Sequence, residues 1–224
     1  MMLVAGKVDL TGKSMVQQQA RSKTGRPPSI VAGRTVPDRL LATATKLFAE
    51  RGFESTSVQD LVEAAGVTKG AMYHYFASKD DLLYEIYARL LRVQMERLEK
   101  VAAAEGSVAE RLHDAAADVV VTTIGKLEDA SIFFRSLHQL SAEKQREVRR
   151  ERRRYHDVFC KMIVEGQTSG IFRDDVTPDL VADYFFGAVH YLPSWYRKRG
   201  ALSGEGVGNV FADLLLASLR PQDT

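Results

Sequence analysis

Cysteine is almost absent from this sequence. Cys160 is the single cysteine among 224 residues, so an intrachain disulfide is excluded and a redox framework is not expected. Its neighbours Val158, Phe159, Met162 and Ile163 predict a small buried hydrophobic side chain rather than the alternative, a sensor thiol.

Long apolar runs are also missing. No stretch reaches the roughly 20 apolar residues that span a bilayer, and the N-terminal segment has no continuous hydrophobic region of the kind that a secretion signal carries. We therefore expect a cytoplasmic protein without a membrane partner. The apolar share of 45% is that of an ordinary globular chain with a substantial core.

Motifs of common catalytic and metal sites are missing as well. The chain has no glycine-rich phosphate loop, no nucleophile elbow and no paired catalytic residues at a specific spacing. Its five histidines include no HxxxH or HxxxE pair, spacings that place two metal ligands on one helix face. We therefore expect no enzyme, no catalytic residue, no metal and no other cofactor.

Helical patterns run through most of the chain, and no alternating strand pattern persists. Thr35 caps a helix that Gly52 ends, and Ser78 caps a long helix that continues to about Ala104. Further helices are predicted at about 107–125, 128–139, 141–169, 178–198 and 204–219. The predicted fold class is all-α, with an N-terminal three-helix head and a larger helical body.

Residues 57–82 predict a helix-turn-helix. Ser57 begins a short helix, and Asp60 three residues later completes a capping box. Gly66 is expected to end that helix with a positive φ, and Thr68 to cap the next one. Two short helices joined by such a turn are typical of proteins that place the second helix in the major groove of DNA.

The second helix has one apolar and one polar face. Met72 and Phe76 lie four residues apart and are predicted to be buried, which leaves the opposite face exposed to DNA. The exposed residues are Lys69, Gly70, Tyr73 and His74. Residues at the helix starts complete the predicted DNA-binding set, because their hydroxyls, amides and ammonium group can hold phosphates: Thr56, Ser57, Thr68 and Lys79.

A series of short motifs runs from Leu47 to Leu82: LFAERGF at 47–53, TSV at 56–58, AGV at 65–67, KG at 69–70, YHYF at 73–76 and SKDDL at 78–82. Together they resemble the DNA-binding domain of the TetR family of bacterial repressors. Tyr75 departs from the family pattern, which commonly has His just before the Phe. The resemblance implies that residues 35–80 are a DNA-binding head.

The N-terminal segment is basic. Residues 1–37 contain six lysines and arginines against Asp9, a net charge of 6 − 1 = +5, so the rest of the chain sums to −3. Residues 1–34 therefore predict a flexible arm attracted to the phosphate backbone, with Arg26 suited to a minor groove. The alternatives are a solvated tail, or a start codon assigned too far upstream when translation begins at Met15.

Residues 81–224 are predicted to form a ligand-binding and dimerisation domain. In the TetR family, which the head resembles, the last two helices pair in a dimer. A two-fold dimer also binds two half-sites of a palindromic operator together. The last predicted helix carries an apolar stripe that we expect to be dimer surface rather than core of one chain: Val207, Val210, Phe211, Leu214, Leu215 and Leu219.

The body also predicts a chamber for a small hydrophobic effector. Aromatic residues and histidines from several helices are candidates to line it: Phe134, His138, Phe159, Phe186 and His190. The arginines between residues 146 and 154 alternate with glutamates, which favours a solvated helix face. An alternative is that they bind a phosphate-bearing ligand tail such as coenzyme A.

A second resemblance concerns the C-terminal part. Gly170–Arg173, Ser194–Arg197 and Gly200–Ser203, with the closing helix, are similar to TetR-type regulators of lipid and steroid catabolism. That resemblance implies an effector of the acyl-CoA class. The alternatives are a regulator that needs no effector and a repressor that senses cationic drugs, for which Asp114, Asp118 and Asp183 are the candidate carboxylates.

Overall fold

The structure is a computed structural model that describes residues 35–198 and 200–221, apart from the side chains of residues 133 and 134. Within these residues all regular elements are helices, which confirms the predicted all-α fold. They are α1 Val36–Arg51, α2 Val58–Ala65, α3 Lys69–Tyr75, α4 Lys79–Ala102, α5 Val108–Gly125, α6 Leu127–Ser136, a 3-10 turn Leu137–Gln139, α7 Ala142–Thr168, α8 Pro178–Trp195 and α9 Gly204–Ser218. The predicted arm, residues 1–34, lies outside the described part.

The head consists of α1, α2 and α3, and its helices begin and end where the capping residues predict. Thr35, Ser57 and Thr68 each accept a hydrogen bond from a backbone N–H three residues later. Gly52 and Gly66 follow α1 and α2 with φ of 86° and 62°, a region that favours glycine. The three helices enclose a core in which Leu40, Leu61 and Met72 are fully buried.

The core of the head continues into the body. Residues after α4 join the same buried cluster: Ile132, Leu140 and Val148. Lys144 of α7 forms ion pairs with Asp80, at 3.0 Å, and with Asp81 in the first turn of α4. The Tyr87 hydroxyl of α4 donates a 3.1 Å hydrogen bond to the Ile132 carbonyl of α6. The starts of α4 and α7 are therefore fixed to each other beside the head.

The body packs α4, α5, α7, α8 and α9 around a second core. Phe159 of α7 is fully buried and stacks on Phe185 of α8, with ring centroids 5.4 Å apart. Helix α8 ends three residues earlier than predicted, at Trp195. Pro193 lies in its last turn, and a proline removes a backbone donor, which weakens the helix there.

Small residues let α9 approach α5 closely. A Cβ on Gly208 would lie 2.9 Å from both the Ala117 carbonyl oxygen and Val121 Cγ2 of α5. One turn earlier, a Cβ on Gly204 would meet Ile124 Cγ2 at 3.1 Å. Glycine at 208 is therefore required by packing.

We expect Gly208→Ala to destabilise the protein by about 1–3 kcal/mol, because the new Cβ forces α9 away from α5. Urea unfolding at a fixed protein concentration measures the effect. Gly206→Ala is the matched control, since its Cβ would meet neighbours at 3.4–3.8 Å, so it should change stability by less than about 1 kcal/mol. Equal effects of the two substitutions would contradict the packing argument.

Candidate DNA-binding surface and effector cavity

The turn between α2 and α3 is held from outside by Arg39 of α1. Its guanidinium donates to the Gly66 carbonyl at 2.8 Å and also to the Ala65 carbonyl. These carbonyls end α2, where backbone acceptors otherwise lack partners. No local signal in the sequence indicates this role of Arg39, because the contact joins residues 26 and 27 positions apart. The angle between α2 and α3 is fixed by this contact together with the αL conformation of Gly66.

One face of α3 is open to solvent, as the helical spacing predicts. Lys69, Gly70, Tyr73 and His74 are exposed, whereas Met72 is fully buried. A Cβ on Gly70 would have its nearest neighbour, Thr68 Oγ1, at 3.9 Å, and the φ of Gly70 is not positive. Neither packing nor backbone conformation in this chain requires glycine there. A close approach to another molecule explains it better.

Thr56 needs a correction, because its hydroxyl is not available to phosphate. The side chain is fully buried, and the hydroxyl donates a 2.8 Å hydrogen bond to the Gly52 carbonyl. Thr56 therefore closes the loop between α1 and α2. Its neighbour Ser57 is exposed, and the Ser57 N–H donates to Asp60 at 2.8 Å within the capping box.

Lys79 is engaged within the protein too. Its ammonium donates to the carbonyls of Phe53 and Thr56 at 2.7 and 2.9 Å and lies 4.2 Å from the centre of the Phe53 ring. Burial lowers the pKa of Lys79 below its usual value. The ammonium therefore fixes the loop before α2 to α4, and its predicted phosphate contact stays a prediction.

The body contains a cavity of about 440 Å³ between α4, α5, α6, α7 and α8, a volume in the usual range for small-molecule sites. Part of its wall is apolar: Leu90, Leu91, Val119, Ala130, Phe186 and Val189. The rest carries charged or titratable groups: Arg149, Arg152, Arg153, His156, Asp183 and His190. The cavity therefore combines an apolar wall with a strongly polar one.

The three cavity arginines all come from α7. Arg149 and Arg153 are exposed, whereas Arg152 is half-buried. Arg149 donates to the uncharged amide oxygen of Gln145 at 2.9 Å. Burial lowers the pKa of Arg152, and Asp183 opposes that effect. Arg153 is paired with Asp157 at 2.7 Å and with Asp179 at 3.4 Å. A guanidinium stays protonated, so Arg149 and Arg152 make this side of the cavity cationic and suited to an anionic ligand group.

His190 lies in the same wall as an uncharged group. Burial first, and then the positive charge of Arg152, lower the pKa of His190 to about 4. Near neutral pH the imidazole is therefore neutral and has one donor and one acceptor nitrogen. It suits a polar but uncharged part of a ligand.

The predicted effector residues do not all meet. Phe186 and His190 line the cavity, and Phe159 packs behind Phe186 with ring centroids 5.0 Å apart. The placement of His138 is corrected, because the 3-10 turn after α6 carries it to the exposed surface away from the cavity. Phe134 lies outside the residues whose side chains the structure describes.

The apolar stripe of α9 divides into two parts. Val207, Leu215 and Leu219 are buried in the core of their own chain, so the prediction that they form dimer surface is corrected. Phe211 is partly buried and stacks on Trp195, with ring centroids 6.3 Å apart, whereas Val210 and Leu214 are 43% and 65% exposed. Exposed apolar residues of α8 add to them: Leu180, Tyr184, Tyr191 and Trp195. We call these six residues the α8–α9 apolar face; large exposed apolar patches of soluble proteins are typical of interaction surfaces.

Among the described residues, no helix has both the length and the apolar character that crossing a bilayer demands.

Family models match both parts of the chain. A model of bacterial regulatory proteins of the tetR family matches residues 40–86, and a model of the tetracyclin repressor-like C-terminal domain matches residues 105–219. The first covers the helix-turn-helix and the second covers most of the helices that form the cavity, together with the α8–α9 apolar face.

Individual proteins agree with the family models. The transcriptional repressor KstR2 of Mycolicibacterium smegmatis is 28% identical over 203 residues, which cover 86% of this chain and 93% of the relative. The solved structure of the ketosteroid transcriptional regulator KstR2 of Mycobacterium tuberculosis has a TM-score of 0.76 at 24% identity, covering 88% of this chain and 100% of the other. The solved structure of AibR with isovaleryl coenzyme A and operator DNA has a TM-score of 0.71 at 24% identity, covering 84% and 100%. The chain therefore belongs to the TetR family of bacterial transcriptional regulators.

Proposed function

We propose that this TetR-family regulator is a homodimeric repressor that binds a palindromic operator and is released by an effector of the acyl-CoA class. The observation that carries the effector class is the row of α7 arginines beside an apolar cavity wall. Phosphates pair with guanidinium groups through charge-assisted hydrogen bonds, and an acyl chain requires apolar surroundings. A coenzyme A thioester has both parts in one molecule.

One solved structure of similar fold, that of AibR, supports the same ligand class. KstR2 of Mycobacterium tuberculosis is a ketosteroid transcriptional regulator, and AibR was solved with isovaleryl coenzyme A and operator DNA. At 24% identity these structures share the fold with this chain. The assignment of the ligand class to this chain therefore depends on its own cavity arginines, Arg149 and Arg152.

DNA binding is assigned to the exposed face of α3. Lys69, Tyr73 and His74 offer a cation, a hydroxyl and an imidazole, while Gly70 leaves room for a close approach to the groove. Ser57 and Thr68 stay in the proposed interface as residues at helix starts. Thr56 and Lys79 act indirectly, because they hold the loop that orients α2.

Helix α4 links the two sites. Leu90, Leu91 and Gln94 of α4 line the cavity, and the same helix begins at Lys79, beside the head. About 11 residues separate the two points, a distance of about 17 Å along a helix. A ligand that tilts α4 therefore moves the head. Two recognition helices must lie about 34–36 Å apart to enter successive major grooves, so a tilt in both chains lowers operator affinity.

We expect Lys69→Ala and Tyr73→Ala each to weaken operator binding, with losses of about 1–3 kcal/mol for a base contact. If Lys69 contacts a phosphate, its loss shrinks at high salt, and the salt slope falls by about one. Fluorescence anisotropy with an operator selected from random duplexes measures both. Lys161→Ala, an exposed lysine of α7, is the control and should bind normally. Unchanged affinity in both α3 variants would contradict the assignment.

The effector class is tested by the thermal unfolding of the purified protein. A ligand that binds the native state raises its midpoint by mass action. We expect a shift with acyl-CoA thioesters that exceeds the shift with coenzyme A alone or with the free fatty acid, because the thioester occupies both walls. No shift with any of the three would favour a regulator that needs no effector.

A further inference from the structure

Four side chains with metal-binding chemistry meet where α7 and α8 pack together. His156 and Cys160 lie four residues apart on α7, and Asp179 and Asp183 lie four apart on α8, so each pair shares one helix face. His156 Nδ1 lies 3.5 Å from Cys160 Sγ and 3.9 Å from an Asp179 carboxylate oxygen. Nε2 of the same ring lies 3.4 Å from an Asp183 carboxylate oxygen.

We propose that His156, Cys160 and Asp179 bind a transition-metal ion of the zinc class, with Asp183 orienting the imidazole. The ligand atoms of these three residues all lie within 4.8 Å of one another. Tetrahedral zinc with a Zn–S bond of about 2.3 Å and a Zn–N bond of about 2.0–2.1 Å places its sulfur and nitrogen ligands about 3.5 Å apart. The observed Sγ to Nδ1 distance is 3.5 Å.

Asp183 is the carboxylate that orients the imidazole of His156 in the proposed site. A histidine that binds a metal through one nitrogen usually donates its other N–H to a carboxylate, which fixes the tautomer and the ring orientation. Asp183 is placed to accept from Nε2, and that leaves the lone pair of Nδ1 directed towards Cys160 and Asp179. The arrangement combines side chains of two helices, so it depends on the tertiary fold.

Arg153 forms an ion pair with Asp179, one of the three proposed metal ligands. Its guanidinium lies 3.4 Å from the Asp179 carboxylate and 2.7 Å from Asp157. It can keep Asp157, one turn away on its own helix, when a metal ion takes Asp179. Both Asp179 and Asp183 have exposed carboxylates, which gives an ion a path from solvent.

A reactive thiol is a weaker explanation of Cys160. Burial first, and then the charge of Asp179, raise the pKa of Cys160 to about 11, so the side chain is a protonated thiol near neutral pH and a poor nucleophile. A metal ion replaces that proton when it binds, because the thiolate is the ligand. The same carboxylate that disfavours a free thiolate favours a bound cation.

Three protein ligands leave one tetrahedral position open, as in sites where zinc exchanges its fourth ligand. His156 and Asp183 also line the effector cavity, so a bound ion would hold part of the cavity wall. The inference does not depend on the class of effector, and each can fail without the other.

The test is titration of the full-length protein with Co²⁺ and Zn²⁺. Co²⁺ bound to a thiolate gives a sulfur-to-metal charge-transfer absorption, so we expect that band in the wild type at one equivalent, and its loss when Zn²⁺ displaces the cobalt. Cys160→Ser should abolish the band and Asp179→Asn should weaken binding, while Asp183→Asn should cost about 10- to 100-fold in affinity. Arg153→Gln should instead strengthen binding, because it removes the competing cation.

His113 supplies the matched control. Its ring nitrogens lie 3.6 and 3.3 Å from carboxylates of Asp114 and Asp213, without a cysteine, so His113→Gln should leave binding and the band unchanged. Circular dichroism spectra verify that each variant is folded. Absence of the charge-transfer band in the folded wild type, or equal metal affinity in the wild type and Cys160→Ser, would overturn the proposal.

Discussion

Replacing Leu214 with arginine is expected to convert the proposed homodimer into a monomer and to lower operator affinity by about a hundredfold or more, since one head then binds one half-site. Leu214 is 65% exposed on α9, within the α8–α9 apolar face. In a two-fold interface the same patch occurs on both subunits. One substitution therefore places two unpaired charges in an apolar contact, which is strongly unfavourable.

Sedimentation velocity gives the oligomeric state, and anisotropy with the selected operator gives the affinity. Val164→Arg is the matched control, because Val164 is 47% exposed on α7, outside the α8–α9 apolar face. The control should remain a dimer and bind the operator normally. A Leu214→Arg protein that stays dimeric with normal operator affinity would show that the subunits pair elsewhere.

Replacing both Arg149 and Arg152 with glutamine is expected to produce a repressor that stays on DNA in the presence of effector. Each charge-assisted hydrogen bond contributes about 1.5–3 kcal/mol, so losing two should weaken binding of an acyl-CoA by about a hundredfold or more. Operator affinity without effector should not change, because both residues lie in the body. Calorimetric titration and anisotropy measure the two quantities.

The control for this pair is Arg150→Gln. Arg150 is exposed on the same helix and is not part of the cavity wall, so its loss should not alter effector affinity. A free fatty acid provides a second comparison, since it has no phosphates. If the double variant weakened the fatty acid and the acyl-CoA equally, the arginines would not be recognising phosphate.

Local signals explain why so much of the head is predictable. The capping hydrogen bonds of Ser57, Gly66 and Thr68 join residues no more than four positions apart. The helix starts, the turn and the exposed face of α3 therefore follow from short spacings. The contacts that Thr56 and Lys79 make within the protein are not predicted, because they depend on the loop between α1 and α2. The residues that bind them, Gly52 and Phe53, lie in a loop whose path the periodicity does not specify.

The body shows the limits of periodicity more clearly. The stripe of α9 predicts an apolar face but not its division between the chain's own core and its surface, because Gly208 brings α5 against one half of it. The alternation of arginine and glutamate on α7 is compatible with both a solvated face and a ligand site. Only packing against α4 and α8 shows which arginines line a cavity.

The effector residues are predicted from residue type, as aromatic residues and histidines, and residue type does not specify which of these side chains face the cavity. It indicates Phe186 and His190, which lie in the cavity wall, yet it also selects His138, which the turn after α6 carries to the surface. The metal-binding patterns considered in the sequence, HxxxH and HxxxE, do not match His156 and Cys160, which form an HxxxC pair. Their spacing of four is visible in the sequence, but the two aspartates that complete the cluster come from another helix.

The central claim is that effector and operator favour different arrangements of one dimer. Thermodynamic linkage then requires that operator DNA weaken effector binding by the same factor by which effector weakens operator binding. Calorimetric titration of an acyl-CoA into the protein, with and without saturating operator, measures this directly. We expect the affinity to fall when operator is bound, by a factor equal to the loss of operator affinity caused by the effector. Identical acyl-CoA affinities in the two titrations would contradict the account.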